Sequence, residues 1–140
     1  MSNTSREIRS EVTSGGQLKL SIESVEMPIP KDHEVLLKVE ASPINPSDLG
    51  LLISFAADLS SLTTEGSGDD KVTTMNILPA LHKTMAARFD KSMKVGNEGG
   101  GVIVDAGEAG KGLIGKTVGV AGGAMYSEYR CVPVDSCLVT

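Results

Sequence analysis

Roughly the last third of this chain mixes glycine with β-branched residues so densely that helices are all but barred from it. After Val95 it reads Gly96-Asn97-Glu98-Gly99-Gly100-Gly101-Val102-Ile103-Val104-Asp105-Ala106-Gly107, then Gly115-Lys116-Thr117-Val118, then Gly122-Gly123-Ala124-Met125-Tyr126-Ser127-Glu128-Tyr129. A glycine in a helix interior costs roughly 1 kcal/mol relative to alanine, and β-branched neighbours add to that cost. Short strands, tight turns and close backbone approaches are what such a stretch can form.

The remainder reads as more strands with two helices between them. Residues 5–12 predict an edge strand. Leu18, Leu20 and Ile22 alternate with Lys19 and Ser21 and predict a half-buried strand, and Val35, Leu37 and Val39 share one face of a second strand expected over 34–41. Pro28-Ile29-Pro30-Lys31-Asp32 is a loop between them. Asn45-Pro46 has the form of an N-cap followed by proline at the first helical position, and Asp48 stands where a helix dipole favours an acid. A short helix to about Ile53 is expected, then a long polar surface loop over 54–76. Pro79 opens a second expected helix, with Leu81, Met85 and Phe89 on one face. Later strands are expected at 101–106, 116–121, 125–132 and 137–139, which makes about six or seven strands in all. Helices do not alternate with strands, so the fold class is mainly β, and the pattern argues against a doubly wound nucleotide fold in these residues.

Composition narrows the function. A chain of 140 residues, 40% hydrophobic, suits one domain with a real core. A net charge of −5 and only four Phe and Tyr residues, with no Trp, argue against a nucleic-acid surface. No apolar run approaches the roughly 20 residues of a membrane span, and the N-terminus lacks a signal-peptide core, so a cytoplasmic location is expected. Cys131 and Cys137 fit neither a C-x-x-C redox pair nor a zinc-knuckle spacing and are expected as free thiols. His33 and His82 are isolated. Met75, Met85 and Met93 are expected to fill gaps between the inserted helices and the strands.

Residues 110–117, Gly-Lys-Gly-Leu-Ile-Gly-Lys-Thr, satisfy the P-loop pattern. A working P-loop needs a helix to start at its lysine and aim N–H groups at phosphates. Here Val118-Gly119-Val120-Ala121-Gly122-Gly123 follows, a strand and a turn. A small nucleotide binder, which ATP would stabilise, is therefore the weakest reading.

Ser42-Pro43-Ile44-Asn45-Pro46-Ser47-Asp48-Leu49, the Gly96–Gly101 turn, Gly115-Lys116-Thr117-Val118 and Met125-Tyr126-Ser127-Glu128-Tyr129 occur in an order that resembles the N-terminal GroES-like catalytic domain of the medium-chain dehydrogenase/reductase superfamily. The similarity is to its zinc-free branch, the NADPH:quinone oxidoreductases and enoyl reductases. It covers about residues 6–50 and 94–140.

The resemblance implies a GroES-like, partly open β-barrel with short inserted helices. Residues 1–140 would be one incomplete catalytic domain with a helical or loop insertion at about 54–94. The strand-like end at Thr140 reads as a chain cut mid-fold, with the Rossmann domain of a two-domain oxidoreductase missing. The full protein would transfer hydride from NADP(H) or NAD(H) to a small-molecule quinone, enone or similar activated carbonyl. This chain alone would be inactive, and a homodimer is left open.

The resemblance implies Asn45, Asp48 and Tyr126 as catalytic residues, and Asn45 and Glu98 as cofactor contacts. Three of the four have a structural reading too: Asn45 as a helix cap, Glu98 as a carboxylate tying a glycine turn, Tyr126 as core packing. A tyrosine hydroxyl in a cleft can donate to a carbonyl oxygen as negative charge develops. The zinc enzymes of the superfamily carry cysteine and histidine where this chain has Pro46 and Asn97, and zinc binding needs such donors, so no metal is expected. Enoyl-thioester reductases carry a proton-donating tyrosine near the position of Phe55, and phenylalanine cannot donate. That favours quinones. A free-standing GroES-like interaction module without catalysis is the alternative.

Overall fold

The computed structural model describes residues 3–140. Ten strands and one α-helix follow in the order β1 (Thr4–Val12), β2 (Gln17–Glu26), β3 (Glu34–Ala41), α1 (Pro46–Leu52), β4 (Ala57–Glu65), β5 (Val72–Ile77), β6 (Met93–Lys94), β7 (Gly99–Ala106), β8 (Thr117–Val120), β9 (Tyr129–Pro133) and β10 (Leu138–Val139). They form two five-stranded sheets, β4-β5-β2-β1-β6 and β10-β8-β7-β3-β9, whose paired strands run antiparallel. The fold is mainly β, and neither sheet closes on itself.

The chain divides into two units. The first comprises Ser24–Ile44, Gly96–Thr140 and the described part of Met1–Glu7; the second comprises Ile8–Glu23 and Asn45–Val95. The boundaries fall inside β1 and β2. Each unit has its own core. In the first, Val35, Leu37, Ile103, Ala106, Val118, Val120, Met125 and Val132 are buried together. In the second, Val12, Leu18, Ala56, Met75, Ile77 and Met85 do the same. Each fully buried Val, Leu, Ile or Met side chain contributes about 1.5–3 kcal/mol of transfer free energy. Met75, on β5, and Met85 are buried in the second core, while Met93 is half-buried on β6.

The centre of the first unit is β3, hydrogen-bonded to β7 on one side and β9 on the other. Its Val35 and Leu37, expected on one face, enter the core, and Leu36 on the other face is buried as well. β3 and β7 approach very closely at Gly101, where a Cβ would fall on the Lys38 carbonyl oxygen.

Several sequence expectations are corrected. Residues 54–76 are not a loop. β4 and β5 pair as a hairpin around a turn in which Gly66 and Gly68 have positive φ. Thr63–Thr74 and Thr64–Thr73 join their hydroxyls at 3.0 and 2.8 Å. Most of β4 is exposed or half-buried, so no apolar alternation marks it, although β-branched threonine favours the pleat. The second expected helix is two 3₁₀ segments, Pro79–Leu81 and Lys83–Arg88, bonded i to i−3 throughout. Its apolar face survives, since Met85 is buried and Leu81 and Phe89 pack against the second core. A run this short between two strands cannot sustain an α-helix by propensity alone. β1 is not an edge strand, having β2 on one side and the two-residue β6 on the other. Finally, 125–132 is a turn followed by β9, so Tyr126 lies before the strand.

Gly101→Ala should therefore cost 1–3 kcal/mol or more in urea unfolding. Gly119→Ala, where a Cβ would meet nothing within 4 Å, should stay within about 0.5 kcal/mol of wild type.

Candidate functional site

In the second unit, Asn45 caps α1 and Pro46 is its first residue. The Asn45 N–H donates to Asp48 Oδ2 at 2.8 Å, and the Asp48 N–H donates to the Asn45 carbonyl at 2.9 Å. Asp48 is 2% exposed. Its carboxylate thus sets the entry of the chain into α1, a positioning role. Asn45 stays half-exposed. The far end of α1 is tied as well: the buried Ser10 hydroxyl donates to the Leu52 carbonyl at 2.9 Å, and Arg88 Nη2 donates to the Leu51 carbonyl at 3.1 Å. Burial lowers the Arg88 pKa. Beyond α1, Ser54 takes φ +73, and its hydroxyl accepts from the Ala56 N–H at 3.1 Å. Phe55 follows, 73% exposed.

In the first unit, three chain segments meet: 41–44, 96–100 and 122–127. Gly96 has φ +96, and a Cβ there would lie 2.6 Å from Tyr126 Cδ1 and 2.7 Å from its backbone nitrogen. The Met125 N–H donates to the Gly96 carbonyl at 3.1 Å, and the Gly123 N–H to the Asn97 carbonyl at 3.2 Å. Ser42 Oγ donates to the Met125 carbonyl at 2.8 Å. The Tyr126 hydroxyl donates to the Pro43 carbonyl at 2.9 Å, so its proton is engaged on backbone in this arrangement. Glu98 is exposed on the turn between Gly96 and Gly99.

The segment carrying Tyr126 is unusual in its backbone. Gly123 and Ala124 take φ +74 and +55 in succession. Left-handed alanine costs roughly 1–2 kcal/mol, and such strain persists only where the surroundings over-determine it. Arg130 supplies much of that constraint, with Nε on the Gly123 carbonyl at 3.2 Å and Nη2 on the Gly122 carbonyl at 3.3 Å. Sequence reasoning missed Arg130 because its partners are backbone carbonyls, which no motif records. It passed over Ser42, although Ser42 stands in the upstream motif.

The segment is anchored beyond Tyr126 too. Glu128 Oε1 accepts the Arg6 N–H at 2.8 Å and Oε2 accepts Arg6 Nη2 at 3.0 Å, while the Glu128 N–H returns to the Arg6 carbonyl. These bonds hold the Glu128 carboxyl below its ordinary pKa.

Other candidates are quiet. Cys131 and Cys137 are free thiols. Burial, with help from Glu34, pushes Cys131 up to about 11, and burial also raises Cys137, so neither is a ready nucleophile at neutral pH. The P-loop-like stretch is a 3₁₀ segment, Glu108–Leu113, then a turn at Gly115 with φ +88, then β8. No helix starts at Lys116. Among the described residues, no three His, Cys, Asp or Glu side chains gather into a metal group.

Asp48→Ala is expected to destabilise the chain by about 1–2 kcal/mol in chemical denaturation. For Glu128 the folded pKa is below the unfolded one. Its stabilisation is therefore present above the ordinary carboxylate range and lost as pH falls through the depressed value. The pair is largely exposed, so the increment is about 0.5 kcal/mol or less. Urea titrations between about pH 5 and pH 3 should show it in wild type and not in Glu128→Gln.

A scan against protein-family models finds no match. A comparison with curated proteins finds none either. Solved structures do match. A protein from Bacillus thuringiensis assigned as an NADPH:quinone reductase superposes with TM-score 0.59 at 21% identity, over 99% of this chain and 34% of that one. The human synaptic vesicle membrane protein VAT-1 homolog-like protein gives 0.60 at 20%, over 99% and 35%. A mutant form of enoyl thioester reductase from Candida tropicalis gives 0.57 at 15%, over 98% and 34%. The chain thus spans about a third of the length of the structures it matches. The likeness is one of fold, mainly β and GroES-like.

Proposed function

We propose that residues 1–140 are the substrate-side, GroES-like portion of an NAD(P)H-dependent oxidoreductase that reduces a quinone, enone or similar activated carbonyl without zinc. The observation that carries this reading is the strained, over-determined turn at 122–126, bonded to the Gly96–Gly99 turn, within a fold shared with NADPH-dependent reductases. A bound reduced nicotinamide would supply the hydride. Asn45, half-exposed at the start of α1, and Glu98, exposed on its turn, are the proposed contacts to it. Asp48 holds Asn45 in place. Tyr126 would border the acceptor, and its hydroxyl would have to leave the Pro43 carbonyl to donate a proton.

The fit to the cofactor is partial. The described residues contain no β-α-β unit, and the P-loop-like segment leads into a strand, so the cofactor's phosphates would be held by another part of the protein. The fit to zinc is poor: Pro46 and Asn97 offer neither thiolate nor imidazole. Phe55, unable to donate a proton, supports quinones over enoyl thioesters. A cytoplasmic location accords with this chemistry, and a homodimer remains part of the proposal.

The test is NADPH oxidation with a quinone, by this chain alone and by the protein carrying any downstream Rossmann domain. The chain alone should show no turnover, and the longer protein should turn over with no stoichiometric zinc found on metal analysis. Brisk turnover by the 140-residue chain would overturn the division of labour. Tightly held zinc would overturn the metal-free chemistry. A longer protein inactive with both NADPH and NADH would leave the interaction-module reading.

A further inference from the structure

Four consecutive carbonyls, from Gly122 to Met125, each accept a hydrogen bond from a side chain. Arg130 Nη2 serves Gly122 at 3.3 Å and Arg130 Nε serves Gly123 at 3.2 Å. Ser127 Oγ serves Ala124 at 3.0 Å, and Ser42 Oγ serves Met125 at 2.8 Å. The N–H groups of Gly123 and Met125 are spent on the Asn97 and Gly96 carbonyls. Between them, the half-exposed Ala124 keeps an N–H that has no acceptor among the described residues.

The chain therefore holds a non-glycine residue at φ +55, with donors on every surrounding carbonyl, and leaves that residue's own amide donor unspent. A turn merely needing to reverse direction would relax the strain by placing glycine at 124. We propose that the Ala124 N–H is a pre-organised donor for the carbonyl oxygen of the acceptor, with Arg130 and Ser42 as positioning residues. This rests on the reading of the chain as one wall of a carbonyl-reducing cleft.

The chemistry points to a neutral carbonyl and not to a preformed anion. A fixed backbone dipole strengthens as an oxygen gains negative charge, and it needs no reorganisation to do so. The Arg130 guanidinium, though its bonds are to backbone, adds positive potential on the same segment. The exposed Glu98 follows Asn97 on the adjoining turn and works against a ligand that arrives with a full negative charge. An oxygen that is neutral when free and negative only during reduction suits both.

The experiment is titration of the ¹⁵N-labelled chain with duroquinone, followed by amide shifts. The ring methyls of this quinone block addition by Cys131 and Cys137. The Ala124 amide proton should move downfield saturably, among the largest shifts in the chain. Inorganic phosphate should not reproduce the movement. Arg130→Met should at least halve the Ala124 shift. Ser42→Ala should do the same and stands in if Arg130→Met fails to fold, as judged by its amide spectrum. Saturable shifts elsewhere with Ala124 unmoved would overturn the inference and leave the quinone reading intact. No saturable shift anywhere, up to the solubility of duroquinone, would overturn both.

Discussion

The first unit depends on one contact that only glycine permits. At Gly96 the backbone passes against the ring and the backbone nitrogen of Tyr126, and any β-carbon there would occupy their space. This close passage lets the Gly96 carbonyl accept the Met125 N–H and the Asn97 carbonyl accept the Gly123 N–H. Two glycine-rich turns that are about 25 residues apart in sequence become one structure. The hydroxyls of Ser42 and Tyr126 then add the segment before α1 to it.

Such a construction trades backbone strain for rigidity. Left-handed Ala124 is unfavourable by itself, and the side chains of Ser42, Ser127 and Arg130 keep it from relaxing. In the second unit, the same purpose is met differently. Asp48 holds one end of α1, and Ser10 with Arg88 holds the other. A seven-residue helix is too short to be stable by its own hydrogen bonds, so its ends carry the order. In both units, polar side chains are used more to fix backbone than to meet each other.

How much of this was legible depended on whether a residue's neighbours were close in sequence. The strand over β3, the cap at Asn45 and the proline at position 46 are local signals, and each appears where its residues indicated. The β4–β5 hairpin was invisible because its threonines pair hydroxyl to hydroxyl on largely exposed faces, where no apolar rhythm is needed. The helix expected at Pro79 had the right core-facing residues and the wrong winding, since packing of Leu81, Met85 and Phe89 against the core does not distinguish a tight 3₁₀ path from an α-helical one. At the site, Tyr126 and Glu98 could be named from their motifs, but Arg130 could not.

What the sequence by itself determined is a matter of composition and local order. Glycine density excluded α-helices from the last third, β-branched runs required strands, and the identities of Pro46, Asn97 and Phe55 set which donors the chain can offer. Tertiary structure alone decided where other donors are spent: the Tyr126 proton on Pro43, the Ser42 hydroxyl on Met125, the Arg130 guanidinium on the turn at Gly122 and Gly123. The physical reason is that a hydrogen bond to a distant carbonyl depends on which backbones lie side by side, and every residue offers the same carbonyl.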